Sequence, residues 1–482
     1  MAKSTKTLQL IAGILVLAIG ASCSAGKSKT IKLESEADLA GLTISCGAGN
    51  YYEQKYSARP DVKVFACATQ ADALQAVRQG IVDVFVADEV EVTESTRKRL
   101  GVKVALYGQD AFEVAYGIKK GNTGLLEQFN AFLATIPVED IINHWTKDGP
   151  EIPDPNIGHR VSSEPIRCVT CNNLEPVCYV GEGGKWMGMD PDILSRFANY
   201  LGRPIEIKFQ DLGSAVTAIQ TGQADFLAGN IFVTEERKTF MDFTDPYYIC
   251  HPIFLVLDHD SKARIGLGER IRMNLIREER WKLITHGLAE TIKITLLAIL
   301  IGSVLGTGVC AAMRSRRSWI RSVAGLYGSF IQGTPTLVLL LIMFYVVFAG
   351  SGMSPSLVAI ITFALGFASS AGNIFNTSIS SVPPGQTEAG LSLGFTPLRT
   401  FTGIVLPQAL HKGLPLYAGE CVKLLQSTSI VGYVAIQDLT RASDLIRSRT
   451  FDALIPLLLI TIIYFVLAWL IRKLLNLLLI RK

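Results

Sequence analysis

From about residue 287 onward the chain carries apolar runs of some twenty residues, the length at which a helix crosses a hydrocarbon layer. Five are read, at about 288–313, 323–349, 355–377, 413–436 and 452–476, with polar residues interrupting the fourth. Such runs confine this part of the chain to a helical membrane domain, because helices and closed barrels alone satisfy their backbone in lipid. Basic residues flank the runs: Arg314, Arg316, Arg317 and Arg321 after the first, and Arg472, Lys473, Arg481 and Lys482 at the end. Basic flanks mark the cytoplasmic side. If the first span enters from outside, "RSRRSWIR" (314–321) falls inside, "GSGMSPS" (350–356) outside and the C-terminus inside.

The outside start agrees with the N-terminus. Lys3 and Lys6 precede "LQLIAGILVLAIG", and Ala21 and Ser22 precede Cys23, so residues 1–23 read as an export signal. The Cys after small residues resembles a bacterial lipoprotein cleavage site, where Cys23 would be acylated. Gly20 stands where Leu is usual, and an uncleaved anchor helix is the competing reading. The formal charge of +4 on 482 residues is no argument for a nucleic-acid partner. Of nine cysteines, Cys168 and Cys171 form one CxxC with Cys178 nearby. "RCVTC" reads as a strand, no second CxxC exists and no zinc set emerges. Buried free thiols are expected, with a disulfide left open for an exported domain.

The exported half holds a repeat. "ALQAVRQGIVDVFV" (73–86) and "AVTAIQTGQADFLA" (215–228) align without a gap, 142 residues apart, sharing Gly80/Gly222 and Asp83/Asp225. Each reads as an amphipathic helix ended by Gly and followed by an apolar strand. Two related α/β lobes follow, joined by the Pro-rich "DGPEIPDPNIGHRVSSEP" (148–165). In α/β lobes ligands gather beyond the carboxyl ends of strands, which places Asp88 and Gly229 at the site. Thr234 in "VTEERK" suits an N-cap. Arg237 then sits in a first helical turn, where a cation opposes the helix dipole unless it faces an anion.

"GMDPDILSRFANYLGRPIEIKFQDLGSAVTAIQTGQADFLAGNIFVTEERKTFMDFTDPYY" (188–248) resembles the first lobe of the amino-acid substrate-binding proteins of ABC importers. The resemblance rests on Gly188, Asp190 and Asp192, on Thr234 and Arg237, and on "DFTDPYY" (242–248). "DLAGLTISCGAGNYYEQ" (38–54), the unit through Asp88, and "YGIKKGNTGLLEQFNAFLATI" (116–136) resemble the second lobe. The lobes come in reversed order, which implies a circular permutation; lobes completed by a second chain are the alternative. Expected boundaries are 31–148 for the lobe II-like part, 149–165 for the linker, 166–260 for the lobe I-like part and 280–482 for the membrane domain. The resemblance implies that Arg237 binds an α-carboxylate, that Gly49 adds a backbone N–H to it, and that Asp88 takes the α-ammonium with the Gly229 carbonyl. Cys171, Leu174 and Ile231 stand where the family often carries more polar or aromatic groups, so a less polar side-chain pocket is expected.

"GEGGK" (181–185) lacks the spacing of a phosphate loop and reads as a hairpin tip. The chain offers no ATP site.

"EAGLSLGFTPLRTFTGIVLP" (388–407) resembles the coupling loop of ABC importer permeases. Glu388, Ala389, Gly390, Gly394, Ile404, Leu406 and Pro407 fit its pattern, with Gly390 replacing an Ala. By parity the loop faces the cytoplasm, a handle for a separate ATPase. "RWKLITHGLAETIKITLL" (280–297), "YGSFIQGTPTLVLLL" (327–341) and "LLQSTSI" (424–430) resemble further permease elements, with Gln332 and Gln426 where basic residues are usual. Glu420 and Lys423, three apart on one helical face, are a structural pair or, with Gln426, part of a translocation path.

The expectation is a bilobed periplasmic-binding-protein-like α/β domain, with lobes permuted, followed by an all-α five-helix type I ABC permease domain. It implies an importer subunit for an amino acid in the bacterial inner membrane, with the binding domain on the periplasmic side. Expected partners are membrane lipid, a second copy of the chain and a cytoplasmic ATPase using ATP-Mg. No metal or cofactor is expected in this chain. A ligand-gated channel and an amino-acid sensor are the other classes weighed.

Overall fold

The computed structural model describes residues 31–67, 69–147, 162–171, 175–180, 185–210, 212–258, 266–349 and 351–480. Residues 1–23 with Cys23, most of the linker, Leu174 and the hairpin tip within 181–184 lie outside the described residues. Two compact units result. One runs to Val114 and takes up Tyr248–Gly266; the other holds Ala115–Tyr247 and Leu267–Lys482.

The first unit contains β1 (Thr43–Gly47), β2 (Lys63–Cys67), β3 (Val84–Asp88), β4 (Val102–Tyr107) and β5 (Phe112–Val114). The second contains β6 (Gly117–Lys119), β7 (Ile166–Thr170), β8 (Tyr179–Val180), β9 (Trp186–Met187), β10 (Ile205–Phe209), β11 (Phe226–Ala228) and β12 (Met241–Phe243). The chain then returns to the first unit with β13 (Tyr248–Cys250) and β14 (Pro252–Leu257). The sheet of the first unit runs β2-β1-β3-β14-β4, and that of the second β10-β7-β11-β6-β12.

The two orders follow one plan. Three strands from a contiguous stretch lie parallel. A fourth from far away in sequence runs antiparallel between them and an edge strand. Here the structure departs from the contiguous lobes 31–148 and 166–260. Residues 117–147 belong with the second unit, and 248–257 with the first. The physical reason is the edge problem: β3 and β11 would otherwise present unpaired backbone groups. Each receives a strand from the other half of the sequence. No local pattern records that pairing.

The repeat holds in atomic detail. The helices Gln70–Arg78 and Leu212–Gln220 each give way to a glycine at positive φ, Gly80 at 68° and Gly222 at 74°. The Ala76 carbonyl accepts from Ile81 and Val82, and the Ala218 carbonyl from Gln223 and Ala224. Asp83 Oδ2 accepts from Thr43 N at 2.8 Å, and Asp225 Oδ2 from Arg167 N at 2.8 Å. Each Asp thus ties the start of its third strand to the start of the first. β8 and β9 pair antiparallel, the hairpin expected around "GEGGK".

The membrane half lies in the second unit. Trp281–Met313, Pro355–Ser380 and Leu454–Leu477 are long and apolar enough to span, and Ser318–Gly333 with Thr336–Val347 is a pair bent by 104°. By length and composition this makes three spans among the described residues, or four with the bent pair, against the five expected. Thr334 is extended (φ −102°, ψ 128°) ahead of Pro335, because a proline ring disfavours helix in the residue before it. Followed by the tighter 3-10 helix Thr428–Val434, the helix Leu406–Ser427, with Pro415 inside it, takes in 413–427 of the expected fourth span. At 1.5 Å per residue it is long enough; Lys412, Glu420 and Lys423 leave it too polar to pass on composition. Close packing joins the first and third spans: a methyl group on Gly302 would meet Ala364 O at 2.8 Å, and one on Gly372 would meet Val309 Cγ1 at 2.7 Å. Small residues permit such backbone approach where lipid supplies no hydrophobic drive.

The eight described cysteines are free thiols, seven of them buried and Cys171 half-buried. Among the described residues no cluster could hold a metal.

Candidate functional site

In the second unit the expected residues converge at the carboxyl ends of β7 and β11. Cys171 follows β7, and its N–H donates to Ala228 O at 3.4 Å. Its Sγ lies 3.9 Å from the carbonyls of Ala228 and Gly229. Gly229 follows β11 at φ 105°, and Ile231 is buried behind it. Thr234 is the N-cap of the one-turn helix Glu235–Lys238, its hydroxyl accepting from Arg237 N. That helix carries Arg237, whose Nη1 donates to Phe232 O at 3.1 Å. Desolvation pulls the guanidinium below its usual pKa. Among the described residues Arg237 forms no ion pair. The side chain is half-buried, and desolvating a charge without a counter-charge is costly.

Behind this surface lies Asp190, which the sequence presents only as part of a motif. It is fully buried, and Tyr247 donates to its Oδ1 at 2.5 Å, Tyr116 to the same oxygen at 3.2 Å, and Gly229 N to its Oδ2 at 2.8 Å. The two phenol rings stack at 4.6 Å, 8° from parallel. Burial raises the Asp190 carboxyl to about 6, against these hydrogen bonds, which lower it. Its partner Asp192 accepts from Trp145 Nε1 at 2.9 Å and Arg196 Nε at 2.7 Å. Gly188 opens the motif at φ 116°, where a Cβ would meet Val177 O at 2.5 Å. The GxDxD spacing is therefore a frame that fixes the Gly229 turn.

In the first unit Asp88 ends β3, buried, and accepts from the Tyr52 hydroxyl. Burial pushes the Tyr52 phenol well up, with Asp88 adding to it, so this contact keeps its proton on Tyr52. Gly49 has φ 74°, and its N–H donates to Glu53 Oε2 at 2.5 Å. Asn50 caps the helix Tyr51–Ser57, accepting from Glu53 N at 2.9 Å. The N–H expected to meet a ligand carboxylate thus meets a carboxylate of the chain itself. Tyr52 and Glu53 were missed from sequence; the Asn-x-x-Glu spacing of a capping box was the available sign.

The loop at 388–407 is two short helices, Pro384–Ser392 and Pro397–Thr400, leading into the helix from Leu406. Glu388 and Ala389 are exposed, and Gly390 is buried. A Cβ on Gly390 would come within 2.6 Å of Thr400 Cγ2 and 3.0 Å of Ile404 Cδ1. That explains why Gly replaces the usual Ala. Gly394, at φ 82°, ends the first helix, its N–H donating to Leu391 O. Leu406 and Pro407 begin the long helix. Leu391, Leu393 and Leu398 stand exposed beside Glu388. Further along, Lys423 Nζ lies 3.7 Å from Glu420 Oε1, and Lys423 and Gln426 are exposed on one helical face.

Residues 166–419, just over half of the chain, match the family model of bacterial extracellular solute-binding proteins, family 3. The chain is 32% identical over 192 residues to the L-cystine transport system permease protein TcyB of Bacillus subtilis (strain 168), covering 40% of this chain and 82% of that protein. It is 26% identical over 190 residues to the putative glutamine transport system permease protein GlnP of Rickettsia typhi (strain ATCC VR-144 / Wilmington), covering 39% and 87%. A crystal structure of an amino acid ABC transporter with histidines matches at 30% identity and a TM-score of 0.40, covering 45% of this chain and all of that one. A lobed α/β half carrying the binding-protein motifs and a helical half similar to amino-acid ABC permeases thus occur in one polypeptide. The chain belongs to the bacterial extracellular solute-binding proteins of family 3, joined to an amino-acid ABC transporter permease domain.

Proposed function

We propose that this chain is the fused substrate-binding and permease subunit of an ABC importer for an amino acid, with ATP-Mg hydrolysed by a separate cytoplasmic subunit. The observation that carries the reading is Arg237: a half-buried guanidinium without an ion pair among the described residues, following the strand ends where ligands gather. It would take the α-carboxylate as a bidentate pair. Asp88 would supply the anion for the α-ammonium, assisted by the Gly229 carbonyl, while the Gly49 N–H would reach the carboxylate only by exchanging Glu53 for it. Cys171, Ile231 and Leu174 give the side-chain pocket its modest polarity. Relatives that carry L-cystine or glutamine systems in their names support an amino-acid substrate without choosing one.

The shared sheet plan supports a circular permutation. β14 and β6 are the strands by which each half of the chain completes the other's sheet. Joining the ends across 148–165 and opening the chain before residue 31 leaves that plan intact. Chain ends that lie at the surface make such rewiring tolerable.

The binding half faces the periplasm and the loop at 388–407 the cytoplasm. Its exposed leucines beside Glu388 suit a groove on the ATPase. Two copies of the chain pair in the inner-membrane lipid to enclose one path, with Glu420, Lys423 and Gln426 toward it and Cys23 acylated or the signal retained. Glu388→Lys tests the assignment. Amino-acid uptake by cells should fall to background while ligand binding by the purified chain is kept. Retained uptake would remove the coupling role.

A further inference from the structure

We infer that the lobe built on β6, β7 and β10–β12 is seated permanently on the membrane half, through the helix Leu439–Thr450, and does not leave it during transport. The inference rests on the importer reading and adds how its binding domain works. Two separate attachments carry it.

On one side, Leu445 is buried in a cluster with Val180 and Phe209, with Trp186 and Leu283 packed against it. Val180, Trp186 and Phe209 belong to the lobe, Leu283 and Leu445 to the membrane half. Two cations seal this cluster. The Arg441 guanidinium stands 4.7 Å above the Phe209 ring, its Nη2 fixed on Gly432 O at 2.9 Å. Arg449 stands 4.2 Å above Tyr179, pairs with Glu175 of the lobe and reaches Glu278 at 3.3 Å.

The second attachment is at the end of the bent pair. Gln223 Nε2 donates to Phe344 O at 3.1 Å, and the Tyr345 hydroxyl to Ser214 O at 3.3 Å. Tyr345 also packs on the lobe's own core.

A contact that forms and breaks in each cycle is expected to be polar and wet, whereas permanent ones resemble a domain core cut in two. Leu445 at 1%, Val180 at 5% and Phe209 at 7% exposure are core values. Stacked and ion-paired arginines are the desolvated anchors of lasting interfaces. Contact at two places also denies the lobe a pivot. Ligand release therefore proceeds with this lobe in place.

The test locks the contact. Val180→Cys with Leu445→Cys in the full chain, assembled with its ATPase in proteoliposomes, gives a disulfide that reductant removes. Because a pair of buried replacements can disturb folding, Glu175→Cys with Arg449→Cys, bridged by a short bis-maleimide, provides an independent lock at the partly exposed rim. The expected result is uptake in the locked protein within twofold of the unlocked protein. Uptake lost on locking, with amino-acid binding retained, overturns the fixed seat and leaves the importer reading standing. If neither form imports while both bind, the importer reading falls and the fixed seat falls with it.

Discussion

The backbone N–H of Gly229 donates to Asp190 Oδ2 at 2.8 Å, while Tyr116 and Tyr247 occupy the other carboxylate oxygen. A carboxylate with no solvent exposure thus holds the turn that ends β11. Asp190 thereby sets where Gly229 points.

This buried acid gives a pH dependence with a definite sign. Its folded-state pKa of about 6 lies above the ordinary 3.8 because desolvation outweighs the hydrogen bonds. Between those values the folded state binds more protons than the unfolded. Its contribution is fully present below pH 3.8 and lost as pH rises through 6, amounting to about 3 kcal/mol. Asp438, also buried and raised to about 6, acts in the same window. The comparison is therefore with Asp190→Asn, whose stability in detergent should fall less between pH 4 and 7 than that of the parent chain. Identical pH slopes would remove Asp190 as the source.

Arg237 should dominate affinity. A hydrogen bond to a charged group contributes about 1.5–3 kcal/mol, so Arg237→Ala should weaken amino-acid binding by roughly tenfold to over a hundredfold. Arg237→Lys keeps the charge and loses the planar fork, and should recover only part of it. Isothermal titration with the full chain reads both. Equal affinity in the alanine variant would mean that the anion binds elsewhere.

Some of this was legible in the sequence. Gly80 and Gly222, with Asp83 and Asp225, announced two related lobes because each residue type serves one local purpose: a left-handed helix end and a carboxylate across to the first strand. Thr234 was legible as an N-cap for the same reason. The sheet partners of β6 and β14 were not, since strand pairing across more than a hundred residues leaves no local pattern. Pro335 was visible inside its apolar run, yet hydropathy averages over a break that backbone geometry makes. Glu53 was missed although the Asn50-x-x-Glu53 spacing marked the start of its helix.

The coupling loop makes a packing prediction. Gly390→Ala restores the residue usual in such loops but puts a methyl group 2.6 Å from Thr400 Cγ2. Overpacking of this kind costs about 1–3 kcal/mol, so uptake should fall and the melting temperature drop. Thr400→Ser removes the opposing methyl, and the double variant should regain most of both. A harmless Gly390→Ala would show that the two short helices are not held against each other.

Amino-acid binding by this chain is read most directly by a thermal-shift screen of the full chain in nanodiscs against the twenty amino acids and L-cystine. Ligand at a hundred times its Kd adds about 2.7 kcal/mol. A clear upward shift is expected with at least one of these ligands, lost in both Arg237→Ala and Asp88→Ala. If a folded chain shows no shift with any of them, or the shift survives both substitutions, the chain does not bind an amino acid in the way proposed.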